Sequence, residues 1–209
     1  MNVPTYKQVD KAHIRVRQYA HRTPILSSAS INRISGAKIL FKCENFQKVG
    51  AFKFRGAINA VMSLSDGDAG RGVATHSSGN HAAALALAAR KRGVDAYVVM
   101  PENAPDIKKK AVAGYGATIY FCKPTLNARE SALAEVIAET GATEIHPYDN
   151  SDVISGQGTA AKELLEDEGD LDLVLAPVGG GGLLAGSALS VSHLSPVTKL
   201  IGCEPEGAD

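Results

Sequence analysis

Apolar residues recur every three to four positions across residues 7–20, at Val9, Ala12, Val16 and Ala20, and predict an amphipathic helix. The pattern then changes period. Short runs rich in β-branched and other apolar residues at 37–42, 72–76, 96–100, 118–122, 171–176 and 200–204 read as strands. Longer stretches, many of them rich in alanine and leucine, at 56–64, 81–92, 107–115, 128–140, 158–168 and 183–194 read as helices. Strands alternating with helices of this length predict βαβ units, hence an α/β fold of open, mostly parallel sheets with helices on both faces. Turn composition at His146-Pro147-Tyr148-Asp149-Asn150 divides the fold into two lobes. The small domain is 72–149, and the large domain combines 1–71 with 150–209.

Composition narrows the function classes. The 209 residues carry 22 Lys+Arg and 22 Asp+Glu, a formal net charge of zero, which gives no footprint for nucleic acid or an anionic membrane. Aromatics at 5% and the absence of Trp argue against base-stacking surfaces. Cys43, Cys122 and Cys203 lie far apart with no CxxC, as expected of reduced, buried thiols. The amino-terminal residues are charged where a signal peptide needs an apolar core, and the uncharged stretch 173–192 contains Pro177 and four consecutive glycines. A soluble, cytoplasmic protein is expected.

Three groupings could carry chemistry. In Gly50-Ala51-Phe52-Lys53-Phe54-Arg55-Gly56, a lysine between two phenylalanines is shielded from water, which lowers its pKa and frees the amine to attack a carbonyl. A surface lysine snorkelling beside core aromatics would look the same. Ser77-Ser78-Gly79-Asn80-His81 lies between a strand and a helix start, where capping residues and free N–H groups can receive a carboxylate or phosphate, or simply make a turn. Gly179-Gly180-Gly181-Gly182-Leu183 follows a strand and opens a helix, so a ligand phosphate could approach consecutive backbone N–H groups. No GK[ST] follows, which excludes a P-loop. Gly180-x-Gly182-x-x-Ala185, with Glu204 about 20 residues on, also fits a dinucleotide fingerprint and hence a nicotinamide-dependent oxidoreductase.

The order FKFRG, SSGNH, GGGGL in a βα-rich chain resembles the fold-type II pyridoxal-phosphate enzymes (tryptophan synthase beta-like), and within them the serine/threonine dehydratases and serine racemases. HRTPILSSASIN, KCENFQKVGAFKFRGA, VMPENAPDIKKKAVAGYGA and GQGTAAKELL extend the resemblance over essentially the whole chain. It implies a lyase that dehydrates L-serine, L-threonine or 3-hydroxyaspartate, with racemisation of serine as an accompanying activity. Lys53 would hold pyridoxal 5'-phosphate covalently, Phe52 would pack beside its ring, and Asn80 would bond the phenolic oxygen. Gly179, Gly180, Gly181, Gly182 and Leu183 would take the phosphate. Ser77, Ser78, Gly79, Asn80 and His81 would receive the substrate, with Ser78 as a second acid/base. A small amino acid is the expected partner, without nucleic acid or membrane, in a homodimer when full length.

The resemblance also implies Mg²⁺ or Ca²⁺ bound by Glu204 and the Ala208 carbonyl, cations that take about six oxygens. A third ligand would fall one position beyond Asp209. The expectation is a fragment with a half-built metal site and weak or absent turnover, an inactive cofactor-binding piece being the alternative.

Overall fold

Residues 3–207 are described by the structure, a computed structural model. Four parallel strands make its central sheet: β3 (Val73–His76), β4 (Ala96–Pro101), β5 (Thr118–Cys122) and β6 (Thr143–Glu144), in the order β5-β4-β3-β6. Side-chain alternation sorts the sheet into two faces. Val98 and Met100 pack with α5 (Asn80–Arg92) and α6 (Asp106–Gly114), whereas Val99 joins Ala74, Cys122 and α7 (Leu126–Thr140). Helices thus cover both faces, as the alternating pattern predicts.

Connectivity locates a crevice. The chain runs outward from β3 to β4 to β5, and α7 then carries it back across the sheet to β6, on the other side of β3. β3 and β6 are neighbours whose next connections diverge, the kind of switch point where open α/β sheets bind ligands at the strands' carboxyl ends. β3 leads into Ser77-Ser78-Gly79, and β6 into Ile145-His146-Pro147-Tyr148.

The rest of the chain packs around α8 (Ser151–Glu168), which lies between α3 (Lys53–Ser63) and α9 (Gly182–Leu194), with α1 (Tyr6–Val16) beside them. β1 (Ile25–Ser27) and β2 (Leu40–Lys42) form an antiparallel pair, and β7 (Leu173–Pro177) and β8 (Lys199–Cys203) a parallel one. Leu175 and Ile201, paired across β7 and β8, remain exposed.

Several elements differ from the expected ones. α8 begins at Ser151 rather than 158, because Gly156 and Gly158, poor helix formers, are what let its backbone touch its neighbours. α3 begins at Lys53 rather than 56. α1 ends at Val16, its last buried residue, rather than at 20. The seven-residue α2 (Ala29–Ser35) buries nothing, so it leaves no periodic signal; α4 (Asp66–Ala69) is a single turn. All three cysteines are free, but Cys203 is exposed rather than buried. Among the described residues no helix is long and apolar enough to cross a membrane.

Candidate active site

Lys53 is the first residue of α3. Its half-buried Nζ donates to the Pro147 carbonyl at 2.9 Å and lies 5.4 Å from the Phe52 ring centroid. Desolvation lowers its pKa from the usual lysine value, which makes a neutral, nucleophilic amine more accessible. Phe54 plays no part in this shielding. Its side chain is fully buried in the core, and its ring takes Lys48 instead, at 5.6 Å.

The β3–α5 turn is built differently from the expected cap. Gly79 is the N-cap, with no side-chain cap on α5, and its N–H donates to Ser77 Oγ at 3.3 Å. The first N–H groups of α5 are therefore not consumed by a capping oxygen. The side chains of Ser78 and Asn80 make no hydrogen bond among the described residues. His81 is only 2% exposed, and its Nε2 donates to the Ile145 carbonyl at 3.0 Å. Its imidazole is committed to that contact, so its backbone N–H is what it could offer a substrate.

Burial drives the His81 pKa down from 6.5 to about 3, with the nearby Lys53, His146 and His76 charges adding to the effect. The unfolded chain takes up a proton below its ordinary value that the native ring refuses. Stability is therefore lost as the pH falls from about 6.5 towards 3. Between pH 7 and pH 5 the loss from this group is about 2 kcal/mol. Urea unfolding at the two pH values should show His81→Gln flattening that slope; parallel slopes for variant and wild type would contradict it.

The glycine loop meets the same region. A Cβ on Gly180 would overlap the Tyr148 ring, and one on Gly182 would lie 3.2 Å from Tyr148 Cα. Gly181 holds φ +81°, where a side chain is strained, and caps α9 without a side-chain bond. Gly179 and Gly181 face open space. Leu183 sits half-buried in the first turn of α9.

Segment 145–148 is thus the hub. Its Ile145 carbonyl holds His81, its Pro147 carbonyl holds Lys53, and its Tyr148 ring lies against Gly180. His146 stands edge-on to Tyr148 at 4.6 Å and to His76, at the end of β3, at 6.0 Å. Three motifs remote in sequence converge here. In the sequence these residues mark only a boundary, and no local signal distinguishes the segment from any other turn.

Pyridoxal phosphate fits the residues present. A desolvated lysine suits an aldehyde, and an uncapped helix start behind side-chain-free residues suits a phosphate. The expected Mg²⁺ or Ca²⁺ site is not supported in the same way. Glu204 is exposed after β8, Ala208 lies outside the described residues, and no three His, Cys, Asp or Glu side chains converge among the described ones.

The chain belongs to the pyridoxal-phosphate dependent enzyme family, whose model matches residues 16–209. Over all 209 residues it is 52% identical to beta-hydroxyaspartate dehydratase of Paracoccus denitrificans, spanning 66% of that protein's length. It is 53% identical to L-threo-3-hydroxyaspartate ammonia-lyase of Saccharomyces cerevisiae, spanning 64%. Among solved structures it is similar to serine racemase from Dictyostelium discoideum, with 48% identity and a TM-score of 0.95 over 98% of this chain and 67% of that one. The chain therefore spans about two thirds of the length of the relatives it matches. Family membership sets aside the nicotinamide reading, and the geometry agrees: the fingerprint's third small residue, Ala185, is exposed, whereas Gly186 makes the close helix contact.

Proposed function

We propose that this chain carries the lysine and carboxylate-binding part of a lyase that dehydrates small β-hydroxy amino acids (L-serine, L-threonine or 3-hydroxyaspartate) to a 2-oxo acid and ammonia, with serine racemisation drawing on the same groups. Lys53 would hold pyridoxal phosphate covalently, with Phe52 beside the ring, Asn80 donating to its phenolic oxygen, and Gly179 to Leu183 holding the phosphate. When bound, that group supplies the electron sink that acidifies the substrate Cα–H. The N–H groups opening α5, with Ser77, Ser78 and Gly79, orient the substrate carboxylate. Lys53 Nζ takes the Cα proton, and desolvation, which lowers its basicity from the usual lysine value, eases release of that proton afterwards. Ser78 Oγ holds the second proton position needed to invert the centre.

The observation that carries this reading is the convergence of Lys53, the Ser77–His81 turn and the glycine loop on segment 145–148. Extended to the length of its relatives and incubated with pyridoxal phosphate and L-serine, the protein should release 2-oxo acid, and its Lys53→Ala variant none. Ser78→Ala should lower racemisation by at least about 100-fold while dehydration largely survives. Equal loss of both activities would make Ser78 a carboxylate binder only. A cofactor-loaded protein of that length that forms no 2-oxo acid from any of the three substrates would overturn the reading.

A further inference from the structure

The bend that carries Pro147 is closed by a side chain rather than by its own backbone. Upstream, the Ile145 N–H donates to the Ala74 carbonyl in the sheet. Downstream, Asn150 Oδ1 caps α8, accepting from the Asp152 and Val153 N–H groups at 2.9 and 3.0 Å. Between these anchors, among the described residues, no backbone–backbone hydrogen bond closes residues 146–149. Pro147 has no N–H to give. His146 supplies the closure instead. Its Nδ1 accepts from the Asp149 N–H at 2.8 Å and, at 3.4 Å, from the Tyr148 N–H. A ring nitrogen accepts only without a proton, so the neutral His146 ring carries its hydrogen on Nε2.

This bend presents two groups to the site. The Pro147 carbonyl, one residue after His146, receives Lys53 Nζ at 2.9 Å, and the Tyr148 ring lies against Gly180. The bonds to Nδ1 fold the chain back just past Pro147 and so fix the direction in which that carbonyl points. Among the described residues Lys53 Nζ makes no other hydrogen bond. Its orientation therefore depends on one acceptor, and that acceptor depends on the bend.

We propose that His146 is a positioning residue: through the Asp149 and Tyr148 N–H groups it holds the Pro147 carbonyl where that carbonyl orients Lys53 for the cofactor. This rests on the assignment of the cofactor to Lys53 made above. The ring of His146 also packs edge-on to Tyr148 at 4.6 Å and to His76 at 6.0 Å, so a role in packing alone is the competing account. Two substitutions separate the accounts. His146→Phe keeps a ring of similar size and removes the acceptor. His146→Asn removes the ring and keeps an acceptor, because an asparagine side chain bonds the backbone two residues on and closes a turn in the same way.

The two bonds to Nδ1, one of them long, are together worth about tenfold in the equilibrium that closes the bend. Apparent affinity falls with the fraction of molecules in the binding arrangement. In the protein extended to the length of its relatives, binding of pyridoxal phosphate is followed by the visible absorbance of the lysine-bound group. His146→Phe should bind about tenfold more weakly than wild type, and His146→Asn should stay within about threefold of it. His146 lies outside every helix and strand, so neither change removes an element of the fold. His146→Phe binding as tightly as wild type, or His146→Asn losing as much as His146→Phe or more, would overturn the proposal. The Lys53 assignment falls separately, on a borohydride label at another lysine of the wild type, and takes this proposal with it.

Discussion

Arg55→Met should lower the unfolding free energy by about 3–5 kcal/mol, the range expected when one partner of a buried ion pair is removed. The Arg55 side chain is wholly buried, and it grips two carboxylates. Nε and Nη2 donate to Glu44 and Nη1 and Nη2 to Glu163, each bond at 2.8 Å. Lys42 adds a further bond to Glu163 at 2.8 Å. Two cations and two anions thus cancel away from water, joining β2, the turn at Glu44, α3 and α8. Burial alone would weaken the guanidinium's charge, but the hydrogen bonds to Glu44 and Glu163 outweigh it and raise its pKa. Methionine would fill the volume and leave two buried carboxylates facing one lysine. Adding Glu44→Gln should recover part of the loss, because one uncompensated charge disappears. Guanidinium unfolding measures both changes. A loss under about 1 kcal/mol for the single variant, the level of an exposed pair, would show that water reaches the cluster.

Gly156→Ala should also destabilise, against helix propensity. Alanine in mid-helix gains about 1 kcal/mol over glycine. Here its Cβ would sit 2.5 Å from the Arg55 carbonyl oxygen and 2.7 Å from Gly56 Cα, both of them backbone. Neither can rotate aside, so α3 must move off α8. Overpacking of this kind costs about 1–3 kcal/mol, and more where backbone must shift. Since α3 begins with Lys53, cofactor affinity should fall along with thermal stability. A variant more stable than wild type would mean that the two helices do not cross this closely.

These glycines explain where the sequence was legible and where it misled. The strands around Val98 and Ile119 and the helix at 81–92 were readable because period-2 and helical patterns there coincide with burial. The first two turns of α8 were not, since tertiary packing requires the residues that local propensity disfavours. The motifs holding Lys53, Ser78 and the glycine loop were visible as residue types. Tyr148 was not, because it owes its place to an approach across the fold, its ring against Gly180. The same holds for the shielding of Lys53. Adjacent residues on a helix point about 100° apart, so its two flanking phenylalanines could not both cover it.

Lys53 is the residue proposed to carry the cofactor. Borohydride reduction of the pyridoxal-phosphate-loaded chain, followed by proteolysis and mass spectrometry, should find a single pyridoxyl label, on the peptide containing Lys53, and none after Lys53→Ala. A label on Lys48, Lys108 or any other lysine, or label persisting in Lys53→Ala, would contradict it.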